Sequence, residues 1–97
     1  MFEACTAVVA EYDDIGAQLS DPQVHQDQNL ARRLGRRFAE LRPVVETYRD
    51  WQQAVDDEEA ARELAAEDEA FAEEAQQIAA TKAELADKLT LLLVPRD

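Results

Sequence analysis

Apolar positions recur along the chain at alternating intervals of three and four residues, in three separate stretches. In the first, Cys5, Val8, Tyr12, Ile15 and Leu19 are spaced 3, 4, 3, 4. That rhythm lays one apolar row along a helix, and it predicts a helix over residues 3–19. Ser20-Asp21-Pro22 ends it, because proline disfavours helical backbone at the residue before it. Residues 20–27 read as a polar loop with a short turn at Pro22–His25. In the second stretch, Leu34, Phe38, Leu41, Val45 and Tyr48 are spaced 4, 3, 4, 3, and Val55 follows one heptad later. Gln52 holds the intervening position, with Trp51 beside it. Asp27 or Asn29 is a suitable N-cap, which predicts a helix over 28–65. Pro43 falls inside it. A proline costs about 3 kcal/mol in a helix interior, yet the phase is the same on both sides of it. The expectation is one long kinked helix.

The third row is Phe71, Ala75, Ile78, Lys82, Leu85, Leu89 and Leu92, spaced 4, 3, 4, 3, 4, 3. Asp68 is a suitable N-cap and Glu69 suits the first turn, so the predicted helix covers 69–93. Ala72, Ala79 and Ala86 repeat beside the row and let another helix approach closely. Lys82 is the one misfit. Its methylenes are expected to line the row while its ammonium reaches water or a carboxylate.

Three helices with matching rows predict an all-α fold, an antiparallel three-helix bundle. It pairs a short first helix with a hairpin of two long coiled-coil-like helices, turning at 20–27 and 65–69. With 97 residues the chain makes one domain. Two glycines and three prolines are too few for the turns of a sheet protein.

The formal charge is −12, which argues against generic nucleic-acid binding by total charge. The basic residues are nevertheless clustered: Arg32, Arg33, Arg36, Arg37 and Arg42 fall within eleven positions. Arg32 with Arg36, and Arg33 with Arg37, share helix faces. Guanidinium forks suit phosphates and carboxylates. The strip therefore reads either as a contact for an RNA backbone or an acidic partner, or as a set of ion pairs with carboxylates on neighbouring helices. Charge alone favours the ion pairs. Ten carboxylates between Asp56 and Glu74 face only Arg62; they read as a solvated surface, the alternative being a tip that repels nucleic acid or attracts a basic protein.

Nothing points to catalysis, a metal or a cofactor. The acids lie on helix turns with no apolar pocket to shift them. His25 has no companion ligand. Cys5 lies on an apolar row and reads as a buried thiol; as the single cysteine it forms no internal disulfide. Gly35 is isolated, not part of a phosphate loop. No apolar run reaches the roughly 18–20 residues of a membrane span. The first dozen residues hold two acids and no base, unlike a secretory signal. A cytoplasmic protein is expected.

Four segments carry a family resemblance. They are Gln18-Leu19-Ser20-Asp21-Pro22-Gln23-Val24-His25, Ala31-Arg32-Arg33-Leu34-Gly35-Arg36-Arg37-Phe38-Ala39-Glu40-Leu41, Ala60-Ala61-Arg62-Glu63-Leu64-Ala65, and Leu91-Leu92-Leu93-Val94-Pro95-Arg96-Asp97. In that order they resemble the N-terminal domain of bacterial class-1 peptide chain release factors. The Leu-Leu-Val-Pro-Arg-Asp ending is similar to the type that reads UAA and UAG, and the alanine- and arginine-rich wording to actinobacterial members. The resemblance implies a helical docking domain in translation termination. It would touch the ribosome near the base of the large-subunit stalk and take part in the interplay with the class-2 GTPase release factor. It also implies that residues 94–97 begin a linker to codon-reading and Gly-Gly-Gln domains. This sequence has no Gly-Gly-Gln and no Pro-x-Thr, so by itself it neither reads a codon nor releases a peptide. It reads as a domain cut from a longer protein at Asp97, a monomer or weak dimer in isolation. The alternative is a freestanding coiled-coil adaptor.

Overall fold

In the computed structural model, which describes residues 2–95, three α-helices follow one another. They are α1 (Ala4–Leu19), α2 (Gln28–Glu67) and α3 (Ala72–Leu93), with 3₁₀ turns at Val24–Gln26 and Glu69–Phe71. Among the described residues there is no strand, and the fold is an all-α helical bundle as predicted. Val94 leaves α3 in extended conformation; Arg96 and Asp97, the end of the expected linker start, lie outside the described residues.

Local chemistry sets the helix ends. Asp27 caps α2: its Oδ1 accepts from the Leu30 amide at 3.1 Å and its carbonyl from the Ala31 amide at 3.0 Å. Asp68 stands in extended backbone and accepts from the Ala70 amide at 3.0 Å. That cap opens a 3₁₀ turn, so the α-helix proper begins at Ala72. Asp21 accepts from the Gln23 amide at 2.9 Å, tightening the turn at Pro22. The loop also closes the end of α1, where Ser20 Oγ donates to Gly16 O at 3.0 Å and His25 Nε2 to Leu19 O at 2.6 Å. His25 is thus a helix-capping side chain.

Pro43 does not interrupt α2, which runs 40 residues through it. At about 100° per residue, Pro43 lies nearly opposite the row of Leu34, Phe38, Leu41 and Val45. It is exposed there. The carbonyl of Ala39, which loses its amide partner, therefore faces water.

The chain divides into two compact units, Met1–Glu46 and Thr47–Asp97. In the first, the α1 row expected from the sequence turns inward: Cys5 is fully buried and Ile15 nearly so. Burial raises the Cys5 thiol pKa, keeping it protonated and inert. From α2, Leu41, Val44 and Val45 complete the apolar interior. Tyr12 stacks on Phe38 with ring centroids 4.1 Å apart and planes 6° from parallel. Gly16 makes room for that ring, since a Cβ there would lie 3.3 Å from Phe38 Cε2.

In the second unit α2 and α3 form an antiparallel hairpin, and two expectations are corrected. First, the buried row on α2 is not the continuation through Tyr48, Gln52 and Val55. It is the adjacent row of Thr47, Ala54, Glu58 and Ala61, with Trp51 half-buried between them. Small side chains admit a close approach of α3, whereas Tyr48 and Val55 lie at its margin. Second, the acidic stretch is not wholly a solvated surface, because Glu58 is only 9% exposed. Lys82 Nζ donates to its Oε1 at 2.5 Å and Arg62 Nη2 to its Oε2 at 2.9 Å. The carboxylate expected beneath Lys82 is this one. Ala75 and Leu89 are the buried points of the α3 row, and among the described residues no buried side-chain polar atom lacks a partner.

The Glu58 cluster carries a pH dependence. The Lys82 hydrogen bond first, then that of Arg62, holds the Glu58 carboxyl below its ordinary value of 4.5. The unfolded chain binds this proton more readily, so the contribution is fully present above that value and is lost as pH falls through the folded-state value. Neutralising the other acids relieves self-repulsion and acts in the opposite direction. The difference between the natural chain and Glu58→Gln isolates the cluster. In urea melts the natural chain should be the more stable at pH 7, with the gap closing toward pH 3; a gap that stays constant would refute this reading.

Candidate docking site

The five arginines of the α2 strip separate into two groups. Arg37 is committed to α1: its Nε and Nη2 donate to the two carboxylate oxygens of Glu11 at 2.7 and 3.0 Å. Its Nη1 lies 3.7 Å from Glu40. The pairing lowers the pKa of Glu11 and raises that of Arg37, the mutual hydrogen bond being the largest cause of each. Arg42 is committed to the aromatic stack, with its guanidinium carbon 5.5 Å from the Phe38 ring centroid. These two residues follow the ion-pair and packing reading of the strip.

Arg32, Arg33 and Arg36 do not. All three are exposed, and among the described residues they make no hydrogen bond, ion pair or ring contact. Glu40 stands four residues after Arg36, the spacing of a helical ion pair, but it turns to Arg37 instead. At about 100° per residue, Arg32 and Arg36 point almost directly away from the apolar row, with Arg33 beside them. Like charges three and four apart repel, so α2 gains nothing from holding them together. Three unpaired guanidiniums on one outward face can grip phosphate oxygens or carboxylates in fork geometry.

The sequence does not reveal Glu58 as a site of importance, because it sits in a run of acids. The signal that could have found it is Lys82. A cation on an apolar row requires a carboxylate on the facing row, and Glu58 lies between Ala54 and Ala61 at intervals of four and three. Among the described residues no helix is long and apolar enough to cross a membrane.

The PCRF domain family matches residues 8–97. A protein named Peptide chain release factor 1 from Streptomyces coelicolor is 53% identical over 97 residues, all of this chain and 27% of that protein. The protein of the same name from Leifsonia xyli is 48% identical over the same span and share. That from Mycolicibacterium vanbaalenii is 47% identical over 94 residues, 97% of this chain and 26% of that protein. The chain thus spans about a quarter of the length of these relatives. No solved structure matches it. With nearly the whole chain matched, it belongs to the PCRF domain family.

Proposed function

We propose that the chain is the helical docking domain of a translation termination factor of the UAA- and UAG-reading type, acting in the cytoplasm. It holds the ribosome through Arg32, Arg33 and Arg36. Its place is near the base of the large-subunit stalk, where it also takes part in the interplay with the class-2 GTPase release factor. Codon reading and peptide release belong to other segments of such a factor, and this domain contributes position. One observation carries the reading. In a chain with 22 carboxylates, three arginines on one outward face are without a partner among the described residues. The names of the relatives support the assignment to termination.

The test uses the full-length factor with Arg32, Arg33 and Arg36 changed to glutamine. Ribosome association should weaken, and the slope of log K against log salt should become shallower by about 2, at roughly 0.7 per phosphate contact. Circular dichroism should be unchanged, because these side chains hold nothing within the fold. Identical binding at low and moderate salt would return the three residues to ordinary solvated charge.

A further inference from the structure

We propose that the trough between the second half of α2 and α3 receives a basic amphipathic helix of a partner protein. Two rows at helical spacing form its walls. Asp50 and Asp57 on α2 and Glu74 on α3 stand at the rim, interleaved with the neutral polar Gln53, Gln77 and Thr81, over a floor of Ala54, Ile78 and Leu85. Asp57, Glu74 and Ile78 also line a second concavity that continues the trough past Ala61 to Leu64. Leu64 is 46% exposed, one of few large apolar side chains so open among the described residues. From Asp50 to Leu64 the trough runs about 21 Å, at 1.5 Å per residue, which accommodates about four turns of a partner helix.

The charge of the trough selects its occupant. No lysine or arginine lines either concavity. The nearby bases Arg62 and Lys82 are both spent on Glu58. A nucleic acid would meet carboxylates on both walls, and a second copy of this chain would bring the same acidic rim against itself. A small ligand would find no buried polar group seeking a partner. What fits is a helix with apolar residues at i, i+3, i+4 and i+7 and with lysine or arginine flanking them. Its row would settle on Ala54, Ile78 and Leu85 while its ammonium groups reach the rim. The trough lies in a different unit from Arg32, Arg33 and Arg36, so the two surfaces can be tested separately.

The probe is a synthetic helical peptide of about 16 residues with leucines at heptad positions and lysines beside them. It is titrated into the isotopically labelled chain and followed by amide chemical shifts. Saturable binding is expected, with shifts concentrated between Asp50 and Leu64 and between Glu74 and Leu85. Asp57→Lys combined with Glu74→Lys should weaken it about tenfold. Ala60→Tyr, which fills the trough from an exposed position, should weaken it comparably without loss of helicity. A control peptide has the same residues reordered so that leucines fall on every face. Equal affinity for that control, or shifts spread over the whole acidic surface, would overturn the proposal. So would indifference to both variants.

Discussion

Leu89→Ala should lower the stability of this chain by about 2–5 kcal/mol. Leu89 is fully buried, the largest side chain with that property among the described residues. Truncating it removes its transfer free energy and leaves a cavity that rigid helices close only in part. Small domains have only about 5–15 kcal/mol in total, so the variant should approach the edge of folding. Its melting temperature should fall by about 8–40 °C, at 4–8 °C per kcal/mol for a domain of this size. Leu91→Ala, two residues away on a side chain 74% exposed, should change stability by less than about 0.5 kcal/mol. Thermal melts of the two variants decide the matter. A loss below about 1 kcal/mol for Leu89→Ala would mean that the buried row of α3 is not where the structure puts it.

Phe38→Ala should cost about 2–3 kcal/mol, less than a fully buried phenylalanine because the ring is half-buried. Three neighbours depend on that ring. Tyr12 stacks on it at 4.1 Å, Arg42 lies over it at 5.5 Å, and Gly16 passes close beneath its edge. Phe38→Leu keeps most of the volume and gives up stacking and cation–π attraction, so about 1 kcal/mol should be lost. Gly16 supplies an internal check. Adding a methyl there crowds the ring in the natural chain, but in the Phe38→Ala background Gly16→Ala meets no ring. It should then stabilise by about 0.5–1 kcal/mol through helix propensity alone. Urea denaturation of the four chains measures the coupling. Equal effects of Gly16→Ala in both backgrounds would contradict the close approach.

How far the fold can be read from the residues depends on their size. The rows of α1 and α3 are written mostly in leucine, isoleucine, valine and aromatics, with Cys5, Ala75 and Lys82 among them, and the structure buries or half-buries them as the spacing predicts. Asp27 and Asp68 announce their caps because a carboxylate at those positions has an amide to accept from. The second half of α2 is different. Its inward row consists of threonine, alanine and glutamate, and the eye follows Tyr48 and Val55 instead. Hydrophobicity marks burial only where the partner helix stands far enough away to need large side chains. The arginine strip shows the same limit. Its existence is plain, but its division is not. Arg37 is tied to Glu11, 26 residues earlier on another helix, a distance over which sequence spacing says nothing. Arg42 is tied to a ring one helical turn behind it, a pairing the spacing permits but does not demand.

The alanine facing of α2 onto α3 has a consequence for alignment. Ala54 and Ala61 are one heptad apart and nearly interchangeable, so sliding α3 by seven residues would cost their packing little. It would cost Glu58 everything. After such a slip Lys82 would face Trp51 or Ala65, neither of which offers it a carboxylate. The bridge of Lys82 to Glu58, 2.5 Å long, is then the pin that fixes the register of the hairpin, the office a lone polar residue holds in a coiled coil.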